Sequence, residues 1–370
     1  MKSKKQKNDQ ESNIKGLNKF QIYLTSGNKE DSVYANGKMQ IGIRILIRAV
    51  NDSDKQVILS DEQLESIKLI NYSTGKELSN GWIYNDRENK YNHVFPNQSS
   101  QEIFYSLHEE NKDDIFQHKI YWVTTSHVEE MQIGAQIKLN GKTYNTLAGT
   151  SFDSRVIVIG YQPITYNSDD LIIEKPEHIT SGKYKFNVVR YIPNIETLSN
   201  DNYYYKWSQT NYYIKSKNGF KIKDAYVWKT VNNDEPSNME FRRFSYLVNQ
   251  DNLYLFFIWG TYQEKNKLVG HPDISKSVTD TPHDFYPSAV TLSTGSPQVH
   301  LDILNPHSDV VSITKLYFES PQEYFWETEK SKSDKPNFYF HDVYGNRSGH
   351  MRVIINKDNQ SFYLQDADND

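Results

Sequence analysis

The sequence predicts an all-β protein made of two β-sandwich domains, the C-terminal one a sandwich or jelly roll. Three observations lead to that class. From Phe20 onward, short runs of β-branched and aromatic residues recur between clusters of Gly, Asn, Asp and Pro, the pattern of strands joined by turns. Only seven alanines occur in 370 residues, which argues against extensive helix. The length exceeds what one core organises, since a domain takes roughly 100 to 200 residues. The 36% hydrophobic fraction includes 27 tyrosines, so the chain is polar. Leu, Ile, Val and Phe together still exceed the roughly one fifth below which chains stay disordered.

Residues 1–16 are charged and poor in apolar side chains, the composition of a disordered tail. A first domain over 17–165 is expected to hold strands at 20–24, 40–50, 67–72, 81–84, 120–124, 132–139 and 155–161. Its clearest element runs from Ile41 to Ala49, where every odd position is apolar and the even ones include Arg44 and Arg48, so one face is core and the other meets water. Ser60 with Gln63 has capping-box spacing and predicts a helix of one or two turns ending near Ser66. Pro163, the polar run 167–170 and Pro176 place a boundary within 162–176. The second domain, 166–370, is expected to hold strands at 184–192, 221–231, 241–248, 253–259, 298–304, 310–318, 337–342, 351–356 and 361–365. The uniformly apolar 253–259 reads as a central strand buried on both faces.

Val33-Tyr-Ala35-Asn36-Gly37, followed by the alternating run into Ala49-Val50-Asn51-Asp52, resembles the opening of bacterial Ig-like domains of the invasin and intimin type. In that family an A-x-G turn feeds an alternating strand that ends in A-x-V-x-D. The family's usual G-x-P-V turn is replaced here by 53–57, Ser-Asp-Lys-Gln-Val. The resemblance implies an N-terminal Ig-like sandwich of the kind that serves as a spacer or adhesin stalk, without catalytic residues.

Composition narrows the partners. A formal charge of -5 opposes broad attraction to phosphate backbones, so nucleic acid is not an expected partner. No window approaches the roughly 18 to 20 apolar residues of a membrane span. Lys2, Lys4, Lys5 and Lys7 look like the start of a signal peptide, yet polar residues 8–13 stand where its apolar core belongs. The expectation is synthesis in the cytoplasm without a conventional signal peptide, and release or export by a non-conventional route. Zero cysteines exclude disulfides, thiolate metal ligands and a cysteine nucleophile.

Two stretches can carry function, both in the second half. Residues 203–213 concentrate Tyr203, Tyr204, Tyr205, Trp207, Tyr212 and Tyr213 among Lys206, Ser208, Gln209, Thr210 and Asn211. Ring faces flanked by amides and hydroxyls suit stacking on sugars and hydrogen bonding to their hydroxyl groups. Alternatively the same rings are cross-strand pairs in the core, although neighbours along a strand cannot all face inward. Residues 261–288 lack periodicity and read as one long loop, which is uncommon inside a compact domain. That loop holds His271, Asp273, Asp280, His283 and Asp284, imidazoles and carboxylates able in principle to bind a metal or move protons. Their spacing matches no ligand motif, so no metal and no cofactor is expected. His300 with Asp302, His307 with Asp309, and His341 with Asp342 repeat the pairing of an imidazole with an acid.

No phosphate loop, nucleophile elbow or zinc helix motif occurs in the sequence. The expected function is that of a non-enzymatic bacterial recognition protein. It would be an adhesin or toxin-like virulence factor whose C-terminal β domain binds a glycan or a protein receptor on a cell surface. The alternatives are a glycan-active enzyme on a jelly roll, using carboxylates such as Asp273 and Asp284, and a self-assembling structural protein of the phage-tail or inclusion kind.

Overall fold

The computed structural model describes residues 14–97, 116–230, 235–237, 241–260, 262–280, 288–304, 309–328, 331–356, 358 and 361–367. It is built almost wholly of β-strands and forms two compact units. The first comprises Met1–Ile164 with Val343–Asn346, and the second Thr165–Asp342 with Arg347–Asp370. Among the described residues no helix is long and apolar enough to cross a membrane.

The first unit contains β1 (Gly16–Leu24), β2 (Glu30–Tyr34), β3 (Ile41–Val50), β4 (Gln56–Val57), α1 (Asp61–Glu65), β5 (Lys68–Asn71), β6 (Trp82–Asn85), β7 (Gln117–Thr125), β8 (Glu130–Leu139), β9 (Lys142–Asn145) and β10 (Val156–Tyr161). One sheet has the order β1-β3-β7-β6 with β4 on β3, the other β2-β10-β8-β5 with β9 on β8. Phe20, Ile22, Ile43, Ile45 and Ile47 of the first sheet share one core with Val33, Leu69, Ile133, Ile137, Val156 and Val158 of the second, which makes the unit a sandwich. The alternation along β3 fixes its register. Ile41, Ile43, Ile45, Ile47 and Ala49 are buried, while Arg44, Leu46 and Arg48 lie half-buried on the opposite face. Each buried isoleucine contributes about 1.5–3 kcal/mol, so a slip of one residue is strongly opposed. In α1 the expected capping box is complete. Ser60 Oγ accepts from Gln63 N–H (3.3 Å) and Gln63 Oε1 accepts from Ser60 N–H (2.9 Å). Ile14 is buried and β1 opens at Gly16, so residues 14–16, within the stretch that composition assigns to a tail, are part of the fold; residues 1–13 lie outside the described residues.

Val343–Asn346 is part of this first unit's hydrogen bonding. Asn36 Nδ2 donates to Tyr344 O (3.0 Å) and Asn346 Oδ1 (2.9 Å), and Asn92 N–H donates to Val343 O (2.7 Å).

The second unit contains β11 (Leu171–Ile173), β12 (Glu177–Ile192), β13 (Glu196–Ser216), β14 (Ile222–Trp228), β15 (Arg242–Asn249), β16 (Asn252–Trp259), β17 (Glu264–Gly270), β18 (Ile274–Thr279), β19 (Val290–Gly295), β20 (Gln298–Ile303), β21 (Val311–Phe318), β22 (Lys332–Ser333), β23 (Asn337–Asp342), β24 (Met351–Ile355) and β25 (Phe362–Asp366). The large sheet runs β18-β19-β12-β13-β21-β16-β15-β22 with β11 on β13; β14-β23-β24-β25 form a second sheet and β17 pairs with β20. β16 is buried on both faces between β15 and β21, as its apolar run predicts. Leu253, Leu255, Phe257 and Trp259 join Val299, Leu301 and Ile303 of β20 and the buried pair Phe325–Trp326 in one core. On the opposite face, Tyr212 of β13 meets Phe362 of β25 edge to face, centroids 5.0 Å apart.

The expectation of a single loop over 261–288 is overturned, because β17 and β18 form there. Both strands are largely solvent-facing and polar, so backbone pairing to β20 and β19 holds them and no apolar face writes a period of two into the sequence. Residues 281–287 lie outside the described residues.

Burial and nearby carboxylates push the Tyr121 phenol up to about 12, and its hydroxyl donates to Ile67 O (2.7 Å). A raised folded-state value means stability intact below the ordinary tyrosine value of about 10 and lost as pH climbs from there toward about 12. Denaturant unfolding at pH of about 8 and about 11 should show this loss, and Tyr121→Phe should reduce it, the other raised phenols supplying the rest; an unchanged slope in the variant would contradict the assignment.

Candidate functional site

β12 and β13 form a long antiparallel ribbon joined by a turn at 193–195, in which Asn194 takes a left-handed conformation (φ 60°). The register opposes Tyr205 to Tyr184, Tyr203 to Phe186, Tyr204 to Lys185 and Trp207 to Gly182. Gly182 is required because a Cβ there would stand 2.7 Å from Trp207 Nε1. Odd positions of β13 therefore face the core. Trp207 is buried, and Tyr205 packs on Tyr184 and Phe186 with centroids 6.1 and 5.8 Å away. Farther along, the covering layer ends, leaving Tyr203 48% exposed although its ring lies 6.4 Å from Phe186. Tyr204 points to the other face and is 60% exposed. On that face Asn187 Nδ2 donates to Asn200 Oδ1 (2.7 Å) and Asn202 Oδ1 (2.9 Å), beside the exposed Lys183, Lys185 and Lys206.

Toward the turn, Ile195 and Leu198 are also exposed. Over 196–205, β13 has β12 on one side and, among the described residues, no strand on the other, since β21 pairs only from Trp207 to Ile214. At the other end Tyr212 and Tyr213 are buried. Burial pushes the Tyr213 phenol up, with further push from the Glu177 carboxylate to which it donates (3.0 Å). The aromatic segment is thus divided: Tyr205, Trp207, Tyr212 and Tyr213 turn to packing, while Tyr203 and Tyr204 face solvent.

The imidazole and acid residues do not gather at that ribbon. His271 is buried, its Nδ1 2.9 Å from Pro272 O and its ring against Tyr246. Asp273 is exposed. His283 and Asp284 lie outside the described residues, as does His307. His300 and Asp302 share a face of β20, where both meet Asn266: Asn266 O is 3.2 Å from His300 Nδ1, and Asn266 N–H donates to Asp302 Oδ1 (2.8 Å). His341 does not pair with Asp342. Its Nδ1 donates across the strands to Asp224 Oδ1 (2.7 Å), whereas Asp342 Oδ2 accepts from Tyr166 (2.7 Å). Among the described residues no three His, Asp or Glu side chains converge as a metal site.

Sequence reasoning passed over one further cluster, on the face of β14 and β23 that bears the Asp224–His341 pair. Tyr226 stacks on Tyr339 (4.9 Å, 12°), and the Arg347 guanidinium lies 4.2 Å from the Tyr339 ring centre. Arg347 Nη2 donates to His350 Nε2 (2.9 Å), which makes that nitrogen an unprotonated acceptor. The His350 ring in turn meets Trp228 edge to face, centroids 5.0 Å apart. Alternation of Asp224, Tyr226 and Trp228 was the available signal; the opposing strand lies more than a hundred residues away.

No family model matches the chain, and none of the curated proteins does. Among solved structures, that of invasin, a bacterial integrin-binding protein, overlaps 94% of this chain and 79% of its own at 9% identity with a TM-score of 0.18. The C-terminal domain of the Streptococcus pyogenes antigen I/II-family protein AspA overlaps 94% of this chain and 99% of its own at 8% identity, also with a TM-score of 0.18. Both likenesses are weak, and neither carries weight in the functional argument.

Trp207→Ala should destabilise the second unit by about 3–5 kcal/mol, and Tyr204→Ala by less than about 1 kcal/mol. Chemical denaturation of the two variants checks this division, and equal losses would show that Tyr204 is part of the packing.

Proposed function

We propose that the chain is a non-enzymatic bacterial recognition protein, an adhesin or toxin-like factor that binds a glycan or protein receptor on a cell surface through its second β unit. The observation that carries this reading is the outer half of the β12–β13 ribbon, where Tyr203, Tyr204, Ile195 and Leu198 are exposed together beside an amide cluster. Rigid aromatic side chains ringed by amides and lysines supply contact area at low entropic cost, the composition of binding hot spots. The open edge of β13 adds backbone donors and acceptors to the same surface.

Fluorescently labelled protein should bind intact host cells saturably. The double variant Tyr203→Ala, Tyr204→Ala should bind at least about tenfold more weakly with an unchanged unfolding midpoint. Saturable binding undiminished in that variant would remove the ribbon from the interface, and the absence of saturable binding to any cell type tried would sink the recognition reading.

A further inference from the structure

We propose that the outer face of β14 and β23 is a second binding site, for an acidic saccharide, a sugar bearing a carboxylate or sulfate. The stack of Tyr226, Tyr339 and Arg347 sets the geometry. Tyr226 stacks on Tyr339, and the Arg347 guanidinium lies 4.2 Å from the Tyr339 ring centre, so the cation is held against an aromatic surface instead of wandering in solvent. His350 Nε2 takes one of its five N–H groups, fixing its rotation and leaving the rest of a planar fork on an exposed side chain. That fork matches two oxygens of a carboxylate or sulfate. Beside it stand the hydroxyls of Tyr226 and Tyr339, both half-buried residues and neither hydrogen-bonded among the described residues. Burial holds the Tyr339 phenol above its ordinary value, so it remains a donor at neutral pH. Sugar hydroxyls require such donors close to a ring surface.

Charge selects the acid. The carboxylate in the cluster, Asp224, is buried and accepts the Nδ1 proton of His341, so its charge is turned inward. The exposed cation of the stack is Arg347, in a chain whose net charge is -5. His350 reports the same local field: burial, then Arg347, then Lys229 hold its imidazole below the ordinary value. A neutral sugar would leave the Arg347 fork unmatched, and a bare anion would leave the two phenols unused.

The site is distinct from the ribbon, and the proposal rests on the recognition reading only in taking a saccharide as the class of ligand. Its test uses defined saccharides instead of cells, so the two can fail separately. The full chain is titrated calorimetrically with a uronate tetrasaccharide, a sulfated tetrasaccharide and a neutral tetrasaccharide at one fixed salt concentration. At least one acidic ligand should bind about tenfold or more tightly than the neutral one, and the tighter of the two names the source of the anion. Arg347→Gln should lower that affinity about tenfold or more, and Tyr226→Phe with Tyr339→Phe, which keeps the stack and removes both hydroxyls, several-fold. If Arg347→Gln fails to fold, the double phenylalanine variant decides. Equal affinity for neutral and acidic sugars, no binding of either acid, inorganic sulfate binding as tightly as the sulfated sugar, or affinity unmoved in the folded variants would each overturn the proposal.

Discussion

A strand rises about 3.3 Å per residue, so the 21 residues of β13 extend for about 70 Å, whereas its neighbour β21 has eight residues. Among the described residues no single layer of that length covers both faces and both edges of such a strand. Where β21 and the core layer accompany it, β13 buries Trp207, Gln209, Asn211 and Tyr213. Where they stop, the same alternation continues without cover, and residues that would be core become surface. The candidate site follows from this mismatch in length. The open edge is guarded by charged and amide side chains, Glu196, Asn200, Asp201 and Lys206, which discourage pairing with copies of the same strand.

The covered half of β13 is held by something more directional than apolar packing. Trp259 Nε1 donates to Thr314 Oγ1 (3.0 Å), Thr314 Oγ1 donates to Asn211 Oδ1 (2.7 Å), and Gln209 Nε2 donates to the same oxygen (3.2 Å), all within the buried sheet. A hydrogen-bonded row inside a core penalises every other alignment of β13, β21 and β16, because a slip would leave buried polar groups without partners. The register of the exposed half is therefore set in the interior, and Tyr203 and Tyr204 inherit their opposite directions from it.

Much of the fold was written locally. The alternation of Ile41–Val50, the unbroken apolar run of β16 and the Ser60–Gln63 spacing each specify an element without reference to distant residues. What was illegible depends on partners. β17 and β18 carry too few apolar side chains to show a period, and consecutive tyrosines hide the alternation of β13, whose faces are both covered at Tyr212 and Tyr213 and both open at Tyr203 and Tyr204. For the site, the sequence marked the aromatic segment but not which rings stay outside, since exposure depends on where the covering layer ends. His341 offered its neighbour Asp342 as a partner; alternation sends those two side chains to opposite faces, and the actual partner sits 117 residues earlier.

The segment Val343–Asn346 gives the first unit a particular history during synthesis. Its carbonyls and the Asn346 amide satisfy Asn36 and the backbone of Asn92, in a unit whose other residues end at Ile164. A ribosome adding about 5–20 residues per second needs about 10 to 35 seconds to travel from one to the other. Throughout that interval the sandwich is closed but those donors face water, so the nascent unit sits at a higher free energy than the finished one. Its last hydrogen bonds form only after residues 165–342 have been made, tying the completion of the first unit to the synthesis of the second.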